Sequence, residues 1–175
     1  MGNNRAFPAF AAAVLFFIRF VFFFLPQSIS KGVQDGTMFG AILAVSEHMI
    51  MLPVIAALPA PQWSKAAGYG WIVIDMATDI MALNGVDPAI YISLRYGGHI
   101  SAAVWFATAS WTSRGAIRIF GLLTALNLGG YSFIAHYAPP VVLAPLSIWM
   151  IVWLILIGQH IARRLESNNN ISVSS

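Results

Sequence analysis

Six apolar runs, parted by short breaks, take up most of this chain, at about 8–25, 36–57, 67–83, 89–111, 116–138 and 141–161. An α-helix needs about 20 mostly apolar residues to cross the hydrocarbon core of a bilayer. In lipid no water satisfies the backbone, so such runs must close their hydrogen bonds within the segment and become helices. The pattern predicts an all-α polytopic membrane protein, a six-transmembrane-helix bundle with short loops. Residues 1–162 form one transmembrane domain. Residues 163–175 read as a polar cytoplasmic tail, disordered by composition.

The breaks carry their own chemistry. Pro26 closes the first run, Asp35 is the expected N-cap of the second, and Leu58-Pro-Ala-Pro ends it. Asn84-Gly85 marks a turn, Asp87-Pro88 opens the fourth helix, and Pro139-Pro140 precedes the sixth. Loops this short make successive helices antiparallel neighbours.

Composition agrees with the runs. Charged residues are 9% and hydrophobic residues 59% of the chain, against about 25% and 45–50% in soluble domains. A soluble enzyme and a disordered chain are both excluded. With no cysteine, disulfides, thiolate metal sites and cysteine nucleophiles are excluded too. The net charge of +3 comes from basic residues scattered at span ends, so no nucleic-acid partner is expected. Arg5, Lys65, Arg114, Arg118, Arg163 and Arg164 fall on one side and Lys31 on the other. By the positive-inside rule both termini are cytoplasmic, and the expected location is the plasma (inner) membrane.

Ionisable residues within spans are costly, by roughly 2.5–3.5 kcal/mol each on insertion scales, and mark function by default. At about 1.5 Å rise per residue, Glu47, His48, Asp75, His99 and Asn127 lie about 12–18 Å from the outer ends of their spans, near mid-membrane. Arg19, Asp79 and Arg95 lie at about 6–9 Å, in an outer layer. Asp75 and Asp79 are i,i+4 on one helix, and Arg95 and His99 are i,i+4 on the next. If those faces meet, Asp79 pairs with Arg95 and Asp75 with His99. Glu47 and His48 are adjacent and point about 100° apart, so one of them is expected to share a cavity with Asp75.

Buried carboxylates beside imidazoles are what proton transfer requires. Glu47, Asp75 and His99 are the expected catalytic residues. Arg19, Asp79, Arg95, Asn127, Trp149 and Trp153 are the expected substrate-binding residues, the two tryptophans lining an apolar end. Trp71 reads as a membrane-interface residue, and the first-span phenylalanines, Phe16 and Phe17 among them, as lipid-facing. Gly97-Gly98 and Gly129-Gly130 read as sites of close helix approach. The spacing carries no His-x-x-x-His or Glu-x-x-His pair, and neither a metal nor a cofactor is expected.

Three functions fit. The first is a small integral-membrane enzyme doing acid–base chemistry (isomerisation, cyclisation or hydration, so an isomerase or cyclase) on a lipophilic small molecule reached from the bilayer. The second is a proton- or ion-coupled transporter or channel using the same carboxylates. The third is a non-catalytic subunit of a membrane complex. Nothing in the sequence sets an oligomeric state.

Overall fold

A computed structural model describes residues 5–24 and 36–173, with side chains at 23–24, 140–141 and 165–173 outside the description. Its helices are α1 (Phe7–Phe24), α2 (Met38–Ala57), α3 (Gln62–Leu83), α4 (Pro88–Trp111), α5 (Gly115–Ile134) and α6 (Ala144–Val173), with a 3-10 turn at Pro140–Leu143 before α6. The described residues contain no strand.

Local chemistry sets the helix ends. Asp87 caps α4, its carboxylate accepting from the Ala89 N–H at 2.8 Å, and Pro88 takes the first turn, where its missing N–H costs nothing. Asp35 lies outside the described residues, and Thr37 caps α2 by accepting from the Gly40 N–H at 3.1 Å. Gly85, at φ +72°, makes the left-handed turn that reverses the chain after α3. Three helices differ from expectation, the first being α3, which begins at Gln62 rather than about 67. The helix α5 stops at Ile134 rather than Ala138, because the chain must turn before Pro139-Pro140. The backbone of α6 stays helical to Val173, across a stretch whose composition predicts no fixed structure; Ala162-Arg-Arg-Leu-Glu166 consists of good helix formers.

Each helix packs on its sequence neighbours, and α1 packs on α6, closing the six into a ring. The closing seam is lined by small residues. Ala9, Ala12 and Ala13 of α1 are buried, and Gly158 of α6 lies so close to Phe10 that a Cβ there would meet the ring at 2.8 Å. Gly98 likewise lets α4 approach Ile74 and Asp75, and α4 and α5 remain continuous helices through their glycine pairs.

The distribution of side chains is that of a membrane protein. Val14, Phe17, Ile42, Val73, Leu126 and Phe133 are exposed, while Glu47, His48, Asp75 and Asp79 are buried. Four helices are long and apolar enough to cross a bilayer: α2, α3, α5 and α6 as far as Arg164. The helix α4 is long enough at 24 residues, or about 36 Å, but carries Arg95, His99 and Tyr96 toward the interior. The chain is an integral membrane protein with an all-helical bundle.

The core has two zones. Toward the α3–α4 turn it is polar and charged. Toward the other end Trp71, Trp105, Phe106 and Trp153 fill it, all of them 3% exposed or less. Trp71 stacks on Trp105 with centroids 6.1 Å apart, and Trp153 meets Trp105 and Phe106 edge-on at 5.7 and 4.9 Å.

Candidate functional site

The polar zone is assembled from four consecutive helices. On α3, Trp71, Asp75, Thr78 and Asp79 fall at spacings of three and four, so they share one face. That face lies between α2 and α4, each of which brings an imidazole and a charged group one turn apart or adjacent.

Asp75 is the hub. Its Oδ2 accepts from the Trp71 indole N–H at 2.6 Å and lies 3.2 Å from His48 Nε2 and 3.8 Å from His99 Nε2. The expected Asp75–His99 encounter is therefore present, but the hydrogen-bonded imidazole is that of His48. His48 is held on all sides: its Nδ1 lies 2.7 Å from the Ala44 carbonyl, and its ring meets Phe16 and Trp71 edge-on at 6.4 and 5.7 Å.

Asp79 pairs with Arg95, as the i,i+4 pattern predicts. The Arg95 Nε–H also donates to the Thr78 hydroxyl at 2.9 Å, and that hydroxyl donates to the Asp75 carbonyl at 2.8 Å. Thr78 thus links the Arg95–Asp79 pair to the backbone of the hub. Arg19 pairs with Glu47 at 2.7 Å, so the two depths read from the sequence are joined into one network.

Trp71 and Phe16 depart from their expected places. Trp71 is 3% exposed and faces Asp75, and Phe16 is 7% exposed and faces His48. An indole N–H needs a partner when buried, and the carboxylate one turn away supplies it. The i,i+4 spacing of Trp71 and Asp75 was the signal available in the sequence. For Phe16 the buried alanines Ala9, Ala12 and Ala13 mark the same inward stripe of α1.

Asn127 and Trp153 sit away from the hub. Asn127 donates to the Val142 carbonyl at 3.3 Å, fastening α5 to the 3-10 turn. Trp153 donates to the Ser110 hydroxyl at 3.1 Å inside the aromatic zone, and Trp149, four residues earlier, is half-buried.

Charge counting sets what the network can do. Glu47, Asp75 and Asp79 oppose Arg19 and Arg95, so one further positive charge makes the group neutral. A buried net charge is costly, and a proton on the His48–Asp75 contact removes it. Among the described residues, buried side-chain atoms without a hydrogen-bond partner include Glu47 Oε2, Asp75 Oδ1 and His99 Nδ1 in this network, and Trp105 Nε1 and Asn127 Oδ1 away from it. Among the described residues no three His, Asp or Glu side chains are arranged to hold a metal ion. No protein-family model, curated protein or solved structure matches this chain.

Proposed function

We propose that this chain is a six-span protein of the plasma (inner) membrane, both termini cytoplasmic, that performs acid–base chemistry on a lipophilic substrate. The reaction class is isomerisation, cyclisation or hydration. The observation that carries this reading is the set of unpartnered buried atoms on Glu47, Asp75 and His99. Each such atom costs about 1–3 kcal/mol if nothing binds it, and three of them within one network of charged side chains suit a site that receives a polar group. In this reading Asp75 and Glu47 give and take protons, and His99 orients the substrate or shares a proton with it. Arg19, Asp79 and Arg95 hold the local field, and the aromatic zone around Trp105 and Trp153 bars water from one end. The pairing of Arg19 of α1 with Glu47 of α2 and of Arg95 of α4 with Asp79 of α3, within one ring of helices, supports six spans rather than four. The basic bias at the span ends supports the cytoplasmic termini.

The test is turnover. Membrane lipid extract incubated with the wild-type protein in nanodiscs gains or loses a species by chromatography and mass spectrometry, and the Asp75→Asn protein leaves the extract unchanged. Identical profiles from both folded proteins refute the reading.

Proton-coupled transport is the second reading. It is favoured by the one-sidedness of the core, polar at one end and sealed by packed aromatics at the other, as in one half of an alternating-access cycle. Liposomes loaded with a pH-sensitive dye separate the two, since only a transporter couples solute gradients to proton flux.

A further inference from the structure

We infer that Asp75 is the central member of a proton relay between two imidazoles, His48 on α2 and His99 on α4, and that His48 is a proton-carrying residue of the site. The inference deepens the acid–base reading and rests on it. It begins with the Ala44 carbonyl, which only accepts. His48 Nδ1, 2.7 Å away, must therefore carry a hydrogen. That leaves Nε2 facing Asp75 Oδ2 at 3.2 Å. A neutral His48 would present a lone pair to a carboxylate lone pair, so the contact holds one proton: on Nε2 with Asp75 ionised, or on Oδ2 with His48 neutral.

The same oxygen lies 3.8 Å from His99 Nε2. One oxygen thus stands between two imidazoles on opposite sides of α3. The relay step balances simply. The proton moves from His48 Nε2 to Asp75 Oδ2, leaving neutral His48. Once the 3.8 Å gap closes to hydrogen-bond distance, the proton moves from Asp75 to the Nε2 lone pair of His99, restoring the carboxylate and leaving His99 cationic. His99 Nδ1 has no protein partner, so it is the end from which the proton goes to a bound group. Trp71 keeps Oδ2 in place throughout by its N–H.

The surroundings suit a charge that moves without changing in sum. From α1 Arg19 faces the Glu47 carboxylate beside His48; on α3 Asp79 Oδ2 lies 3.9 Å from His48 Nδ1. From α4 Arg95 pairs with Asp79, and the Tyr96 ring lies between His99 and Tyr131 of α5. Each imidazole in its cationic form has a carboxylate at hand.

The test is nitrogen-15 NMR of histidine-labelled full-length protein in nanodiscs, titrated across the neutral range. The chain has four histidines, assigned by single His→Asn variants. In the wild type, His48 and His99 should each show two titration steps at common midpoints, about one pH unit or more apart, because coupled groups titrate as a set. His48 Nδ1 should stay protonated throughout. In His99→Asn, and in Asp75→Asn if it folds, the remaining ring signals should collapse to single steps. Wild-type rings with single, unrelated midpoints, or a bare His48 Nδ1, overturn the relay. A lipid extract unchanged by a protein that still shows the two-step curves would instead refute the acid–base reading and leave the relay standing.

Discussion

Arg19 on α1 donates to Glu47 on α2 at 2.7 Å, and the two ends of this pair live in different surroundings: the arginine side chain is 34% exposed and the glutamate 1%. The asymmetry makes the two single substitutions unequal. Glu47→Gln leaves a cation that can extend toward the headgroups and should cost about 1 kcal/mol, as for a lost hydrogen bond. Arg19→Gln leaves an ionised carboxylate buried without its cation and should cost about 3 kcal/mol. Unfolding of the two variants in mixed micelles checks the order, and a costlier Glu47→Gln would contradict the pairing.

Asp79 and Arg95 have no such asymmetry, with side chains 4% and 14% exposed. Asp79→Asn should destabilise by about 3–5 kcal/mol, since it strands a buried guanidinium. Adding Arg95→Gln should recover part of that loss. A double-mutant cycle with no coupling energy would show that the pair does not act as one.

Neighbouring glycines of α4 should respond in opposite ways. A Cβ at Gly98 would meet Ile74 Cγ2 at 2.9 Å and Asp75 Oδ1 at 3.1 Å, whereas nothing lies within 4 Å of a Cβ at Gly97. Gly98→Ala should cost about 1–3 kcal/mol by overpacking and should displace the Asp75 carboxylate. Gly97→Ala should be neutral or stabilise α4 by up to about 1 kcal/mol. Equal effects on thermal unfolding would mean the α3–α4 seam is looser than described.

Much of this network was legible in the sequence, and the reasons for the rest are physical. Helical spacing alone pairs Asp79 with Arg95, because both helices put two polar residues one turn apart and their antiparallel packing is forced by a short loop. It also brings His99 to Asp75. Spacing could not choose between Glu47 and His48, since both lie on the buried side of α2 and the choice depends on which neighbour each meets: Arg19 on one flank, Asp75 on the other. Depth assigned Arg19 to the Asp79–Arg95 layer, but a long arginine side chain reaches along the helix, so depth at Cα does not fix its partner. Trp71 departs from its expected place for a related reason. Position near a span end suggests an interface residue, and only the carboxylate one turn away turns its ring inward.

The topology makes a further prediction, and the lack of cysteine makes it easy to test. Single cysteines replacing Gly2 and Ser175 should be labelled by an impermeant maleimide only from the cytoplasmic side, and one replacing Asn84 only from the opposite side. Gly2 and Ser175 on opposite faces would mean an odd number of spans.

The central claim is that ionisable carboxyl groups within the bilayer meet a lipophilic molecule there. The most direct measurement is modification by dicyclohexylcarbodiimide, a lipophilic reagent that couples to protonated carboxyl groups, followed by peptide mass spectrometry of the protein in nanodiscs. The account predicts an adduct on Asp75 or Glu47 that is lost in the matching Asp75→Asn or Glu47→Gln protein. An adduct confined to Asp87, which is exposed at the α3–α4 turn, with Asp75 and Glu47 unmodified at every pH, would contradict it.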